Sequence, residues 1–313
     1  MHQDSLAALP VRAALHATGL YLAMRPIAST ELRDAFMQQT VERVAAPETI
    51  VHISRDEIGK VDPDTAPAGL IFHVARCGST LISQLLKEHD NLVVYAEPLP
   101  VNEILLPSHK WPRHELIAAL RTLGAAFAQH ARGPYVLKFS SWNTLFCDIV
   151  CEAFPDSPWV LSFRDPVEVG VSLLNQLPGW LQETTGAASQ LAKCVDPQAA
   201  TKSREEFVAR LYGAFCNAVA HLDATRGKLV PYEALPAAVW EMVAPHFLVA
   251  IASKQRIRMA QAARNYSKAP VGQPAEFASD IAIKQSAAST VLRGAIDAFA
   301  RPALERLIKL HAS

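Results

Sequence analysis

Between residues 69 and 90 the chain reads GLIFHVARCGSTLISQLLKEHD, an apolar run that stops at a short polar turn and resumes with helical spacing. The run LIFHV has the composition of a strand, Ala75, Arg76, Cys77, Gly78, Ser79 and Thr80 form the turn, and Leu81, Ile82, Leu85 and Leu86 mark the apolar stripe of a helix. A strand, a glycine turn and a helix N-terminus together aim backbone N–H groups and the positive end of a helix dipole at one point. That point suits a phosphate-like anion.

The lysine-bearing loop of nucleoside triphosphatases reads G-x-x-x-x-G-K-[ST]. Aligning its second glycine with Gly78 puts His73 at the first glycine, Ser79 at the lysine and Thr80 at the last position. Without the lysine, hydrolysis of ATP or GTP is disfavoured. Arg76 offers a different charge at a different place. A second stretch, FPDSPWVLSFRDPVEVGVSLL, carries an apolar strand into Arg164, Asp165 and Pro166, with Ser172 eight positions after the arginine. Asp165 can cap a helix that begins at Pro166. Capping does not account for Arg164, which stands at the carboxyl end of a strand, where open α/β sheets place their ligands.

The elements that must position these residues follow from the apolar runs. GLIFHV, NLVVYAE, YVLKFS, WVLSFRD and KLVPYE are continuous rather than alternating in polarity, as expected for strands covered on both faces of a parallel sheet. Helical stretches between them, such as Leu81 to Lys87 and Glu205 to Leu222, complete a βαβ pattern. The expected fold is α/β, a three-layer P-loop-like arrangement with a mainly parallel central sheet flanked by helices. Residues 1–65 read as a mainly helical extension with a short strand at TIVHIS, closed by the proline-rich break KVDPDTAPAG. Residues 66–313 form the α/β domain, in which the small and polar residues of 178–203 are expected to be a mobile cover over an acceptor.

With both stretches in view, the chain resembles the PAPS-dependent sulfotransferase family, whose first loop commonly reads [PA]-[RK]-x-G-[ST]-[ST], as in ARCGSTL. The resemblance implies that Arg76 meets the 5'-phosphosulfate of the donor. Cys77 stands where serine is frequent, and Gly78, Ser79, Thr80 and Leu81 supply backbone or hydroxyl contacts. Arg164 and Ser172 fall on the family's 3'-phosphate segment. VVYAEPL and VLKFS resemble two further strand ends, making Glu97 a candidate base and Lys138 a cation for the leaving group. LVPYEAL resembles a Tyr-Glu-x-Leu motif read as mainly structural. NYSKAP resembles the donor-covering tail without its usual Arg-Lys-Gly triplet, leaving Arg264 and Lys268 as the 3'-phosphate contacts there. The implied reaction is sulfuryl transfer from PAPS to a hydroxyl or amine, releasing adenosine 3',5'-bisphosphate with no metal. If Glu97 is not the base, His73 or His109 is next.

Two other classes stay open. One is a small-molecule kinase with Asp165 as a metal-binding carboxylate; the other is a non-catalytic binder of adenosine bisphosphate. Composition narrows the partners. Thirty basic and thirty acidic residues cancel, so no bulk field favours nucleic acid or an anionic membrane. No run reaches the ~20 apolar residues of a membrane span. Five cysteines in 313 residues make no disulfide framework, and Cys147 and Cys151 have no His or Cys cluster that would mark zinc. A cytoplasmic location is expected. The acceptor is not legible, although Trp111, Trp180, Leu181 and Tyr212 could wall its pocket.

Overall fold

The computed structural model describes residues 8–177, 191, 192, 195, 203–264 and 280–312. Its first elements correct the sequence reading. Leu9–His16 (β1) and Gly19–Arg25 (β2) pair as an antiparallel hairpin, and Thr49–Ser54 (β3) adds a third strand, so residues 1–65 are not mainly helical. Between β2 and β3 lie one turn of 3-10 helix at Ser29–Glu31 and a short helix, Met37–Arg43 (α1). The physical reason is a period of two. Leu9, Val11, Ala13 and Leu15 are buried, while Arg12 and His16 are exposed. Inward alternation of this kind seals one sheet face, and β1 closes against helices α3 (Leu99–Leu105) and α4 (Arg113–Ala131). Glu103 of α3 fastens the contact, accepting a hydrogen bond from Ala13 N at 2.7 Å and pairing with Arg12.

The five continuous apolar runs form one five-stranded sheet: β4 (Gly69–His73), β5 (Val93–Ala96), β6 (Tyr135–Lys138), β7 (Trp159–Phe163) and β8 (Gly227–Pro231). Their order is β5-β6-β4-β7-β8 and every pairing is parallel. Alternate residues feed two separate cores. Leu70, Phe72, Tyr95, Leu137 and Leu161 face one side, packed by α4, α5 (Cys147–Ala153), α6 (Pro166–Asn175) and α7 (Arg204–Ala220). Ile71, Val94, Val136, Val160 and Val230 face the other, against α2 (Ser79–Leu86) and α8 (Ser253–Ala262). Each fully buried Leu, Val or Phe contributes about 1.5–3 kcal/mol of apolar transfer, so a strand with residues in both cores is held from two sides. This is a three-layer α/β fold, helices on each face of a parallel sheet.

The sheet order fixes where a ligand can sit. From β4 the chain runs to β5 on one side of the sheet and, after β6, reaches β7 on the other. The carboxyl ends flanking such a reversal leave a crevice. The expected cover at 178–203 lies almost entirely outside the described residues. Among the described residues no helix is long and apolar enough to cross a membrane.

Candidate functional site

A cleft of about 370 Å3 opens at the carboxyl end of the sheet, and Arg76 to Leu81, Glu97, Arg164 and Ser172 all line it. Four of the five strands carry lining residues at or just beyond their carboxyl ends, and β6 places Lys138 behind them. The loop after β4 carries Arg76 to Gly78 into α2, Glu97 follows β5, Lys138 ends β6, Arg164 follows β7, and Tyr232 follows β8. Arg76 to Leu81, Glu97, Lys138, Arg164 and Ser172 are thus gathered at one end of the sheet.

The backbone of the first loop is unusual. Arg76 has φ 61° and Gly78 has φ 84°, and Glu97 across the cleft has φ 53°. Non-glycine residues hold this left-handed conformation at a cost of about 1–3 kcal/mol, which surrounding structure must offset. At Gly78 a side chain would also collide, its Cβ falling 2.8 Å from Leu235 Cδ1 and 2.9 Å from Tyr232 Cδ2. Gly78 turns the chain directly into α2, where the first N–H groups have no acceptor within the helix. Cys77 is structural, its Sγ donating to Val74 O at 2.8 Å, and burial pushes the thiol up.

Arg76 points across the cleft. Its Nε donates to Ser172 Oγ at 2.8 Å and its Nη2 to Gln176 Oε1 at 3.0 Å, joining the first loop to α6. Arg164 is held differently. Nε donates to Glu168 Oε2 at 2.5 Å, Nη2 to Asp280 Oδ1 at 2.7 Å, and the guanidinium carbon lies 4.1 Å from the Tyr232 ring centroid. Arg164 therefore lies in the cleft but is already paired with two carboxylates. Burial pulls its pKa down, yet the hydrogen bonds it donates to these carboxylates raise it overall.

Lys138 does not line the cleft. It is fully buried, its Nζ hydrogen-bonds Glu97 Oε1, and the Phe36 ring centroid lies 5.4 Å from Nζ. Glu97 is one-quarter exposed and stands between the lysine and the open space. His73 lies alongside, Nε2 3.8 Å from Glu97 Oε1, with Nδ1 2.9 Å from Val74 O and Nε2 2.9 Å from Phe139 O. Burial first, then the Lys138 charge, lowers this imidazole from 6.5 to about 4. A neutral ring has one proton and donates to one of those carbonyls.

A native state that resists protonating His73 must lose stability when the unfolded chain takes that proton. Because the folded pKa lies below the unfolded one, the stabilisation is complete above pH 6.5 and falls away down to about pH 4, by about 3 kcal/mol. Urea midpoints measured at pH 7 and pH 4.5 should show this fall, and His73→Gln should reduce it. A midpoint that stays level in the native protein would contradict the burial of a neutral imidazole.

Other expected residues lie apart. Arg264 is exposed and, although neighbouring Ala263 lines the cleft, does not line it. Lys268, Trp180 and Leu181 lie outside the described residues. His109 is exposed and away from the cleft. Tyr212 is a packing residue, buried with its hydroxyl donating to Arg164 O at 2.8 Å. Asp165 caps α6, accepting from Val167 N and Glu168 N, and also accepts from Gln285 Nε2 at 3.0 Å. Several lining residues escaped the sequence reading, Gln176 beside Arg76 among them. Tyr232, taken as structural, faces Arg164, and Asp280 and Lys284 line the cleft from the C-terminal part of the chain. The i,i+4 spacing of Asp280 and Lys284 was the one available signal. Among the described residues no group of three His, Cys, Asp or Glu could hold a metal ion.

No protein-family model matches the chain, and no curated protein does. Five solved structures similar to it are sulfotransferases. A sulfotransferase from Alicyclobacillus acidocaldarius is 15% identical, with 79% of this chain and 96% of that one covered and a TM-score of 0.44. The sulfotransferase domain of the Synechococcus olefin synthase is 13% identical over 79% and 93%, with a TM-score of 0.42. A sulfotransferase from Mycobacterium tuberculosis is 15% identical over 81% of each chain, with a TM-score of 0.40. The chemistry is therefore read from the cleft itself.

Proposed function

We propose that the protein is a PAPS-dependent sulfotransferase that moves a sulfuryl group to a hydroxyl or amine and releases adenosine 3',5'-bisphosphate. The observation that carries this reading is the hydrogen bond from Arg76 Nε to Ser172 Oγ at 2.8 Å. It places the glycine loop and the segment beginning at Arg164 in one cleft, although 96 residues separate the bonded pair. The residues present fit an anionic nucleotide with two phosphate positions: a cation and a helix N-terminus at the first loop, and a second arginine at the end of β7.

PAPS supplies the activated sulfuryl group when bound. Arg76, with the first-turn N–H groups of α2 and the hydroxyls of Ser79 and Thr80, would hold the 5' end and stabilise charge that builds on the leaving oxygen. Arg164 would hold the 3'-phosphate. Glu97 stands at the cleft surface, where its carboxylate can accept the proton of an acceptor hydroxyl or amine. Lys138, buried behind it, fixes that carboxylate and balances its charge. Such a reaction asks the protein chiefly for positioning and fixed charge. The kinase reading is less favoured, because Asp165 caps α6 through Oδ1 and does not line the cleft.

The test is a calorimetric titration of the purified protein, without metal, using adenosine 3',5'-bisphosphate, ADP and ATP. The bisphosphate should bind at least ~10-fold more tightly than ADP, about 1.4 kcal/mol. Binding of ATP alone, and only with magnesium, would replace this reading with a kinase.

A further inference from the structure

The part of the cleft around Arg164 holds an internal anion. The Asp280 carboxylate bridges two cations, with Oδ1 2.7 Å from Arg164 Nη2 and Oδ2 2.7 Å from Lys284 Nζ. Asp280 immediately precedes helix α9 (Ile281–Ala287), the position where an aspartate ordinarily caps the first turn. Its side chain makes no capping hydrogen bond and turns to the two cations instead.

Exposure separates the partners. The side chains of Arg164 and Lys284 are 4% and 14% exposed, whereas that of Asp280 is 43% exposed. The cations form the floor and the carboxylate lies over them on the solvent side. An anion entering the cleft can displace the carboxylate without moving either cation. The floor is braced from below: Gln285, next to Lys284, donates to Asp165 Oδ1 at 3.0 Å and Glu168 Oε1 at 3.1 Å, tying α9 to α6. Glu168 occupies the Nε edge of Arg164, leaving the Nη2 edge directed at Asp280.

Resting on the donor reading above, we propose that Arg164 and Lys284 form the subsite for the second phosphate of the nucleotide, which Asp280 fills when that phosphate is absent. A phosphate monoester has more charge than a carboxylate and three oxygens with which to meet a guanidinium edge and an ammonium together. Lys284 supplies the second cation that the sequence reading sought at Arg264 and Lys268. Asp280 makes entry competitive, so a nucleotide with one phosphate gains nothing from the subsite and leaves it closed.

The experiment titrates the full chain and its Lys284→Met and Asp280→Asn variants with adenosine 3',5'-bisphosphate and with adenosine 5'-phosphate. Lys284→Met should weaken the bisphosphate about 10-fold and leave the monophosphate within about twofold. Asp280→Asn should tighten the bisphosphate by about 10-fold with the same indifference to the monophosphate. These opposite shifts in two folded variants are not produced by a general loss of structure. If the bisphosphate binds tightly but equally to all three proteins, the subsite is overturned and the donor reading stands. If the bisphosphate binds no better than the monophosphate in any of them, the donor reading falls and the subsite falls with it.

Discussion

Arg76→Ala is expected to slow the release of adenosine 3',5'-bisphosphate from PAPS by about 10³-fold, the scale on which single charge-stabilising donors act in transfer reactions. The argument rests on how Arg76 is held. Its hydrogen bonds go to the neutral partners Ser172 and Gln176, and among the described residues no carboxylate pairs with it. Its charge is available to a ligand, whereas Arg164 must first part from Asp280. Alanine retains a Cβ, so the left-handed backbone at 76 is no easier to hold than before and the loss is one of the guanidinium. Arg76→Lys should recover part of the rate, since a charge remains without the planar fork. The readout is turnover at saturating donor, alongside a thermal midpoint to exclude misfolding. A rate within threefold of the native protein would remove Arg76 from the mechanism.

The second large effect concerns stability. Glu97→Gln leaves a fully buried ammonium at Lys138 without its carboxylate, and breaking a buried pair from one side costs about 3–5 kcal/mol. Glu97 is partly exposed, so the lower end applies: about 3 kcal/mol, or a fall of about 5 °C in thermal midpoint for a chain of this size. Lys138→Met together with Glu97→Gln removes both charges, and the double variant should be more stable than Glu97→Gln alone. Turnover should behave otherwise, staying low in both because the proton acceptor is gone. Equal stability of Glu97→Gln and the native protein would show that Lys138 does not depend on this carboxylate.

The parallel sheet was legible because its strands are buried on both faces, so GLIFHV, YVLKFS and WVLSFRD needed no periodicity to be recognised. The loops at their ends were legible for the same reason, since the ends of buried strands leave few places for Arg76 and Arg164 to be. The hairpin at 9–25 was misread because its Ala and Leu content favours a helix, and because apolar Pro10 and Ala14 at the intervening positions blur the alternation of polarity. Tertiary contact with α3 and α4 outweighed that local preference. The distant partner of Arg164 could not be read at all. Asp280 lies 116 residues away, and ion pairs of that span are set by folding rather than by spacing.

The strand order also bears on how the chain is made. β4 is the first strand of the parallel sheet to be synthesised and sits at its centre, bonded to β6 on one side and β7 on the other. β7 ends about 90 residues after β4, a delay of about 5–18 s at ordinary rates of translation. Until β6 is made, about 65 residues after β4, GLIFH has two unsatisfied edges, and one stays open until β7 follows, with Leu70, Ile71 and Phe72 lacking a completed sheet to enter. The strand that later carries the anion loop is thus, of the five in this sheet, the one that waits longest for both of its neighbours during synthesis.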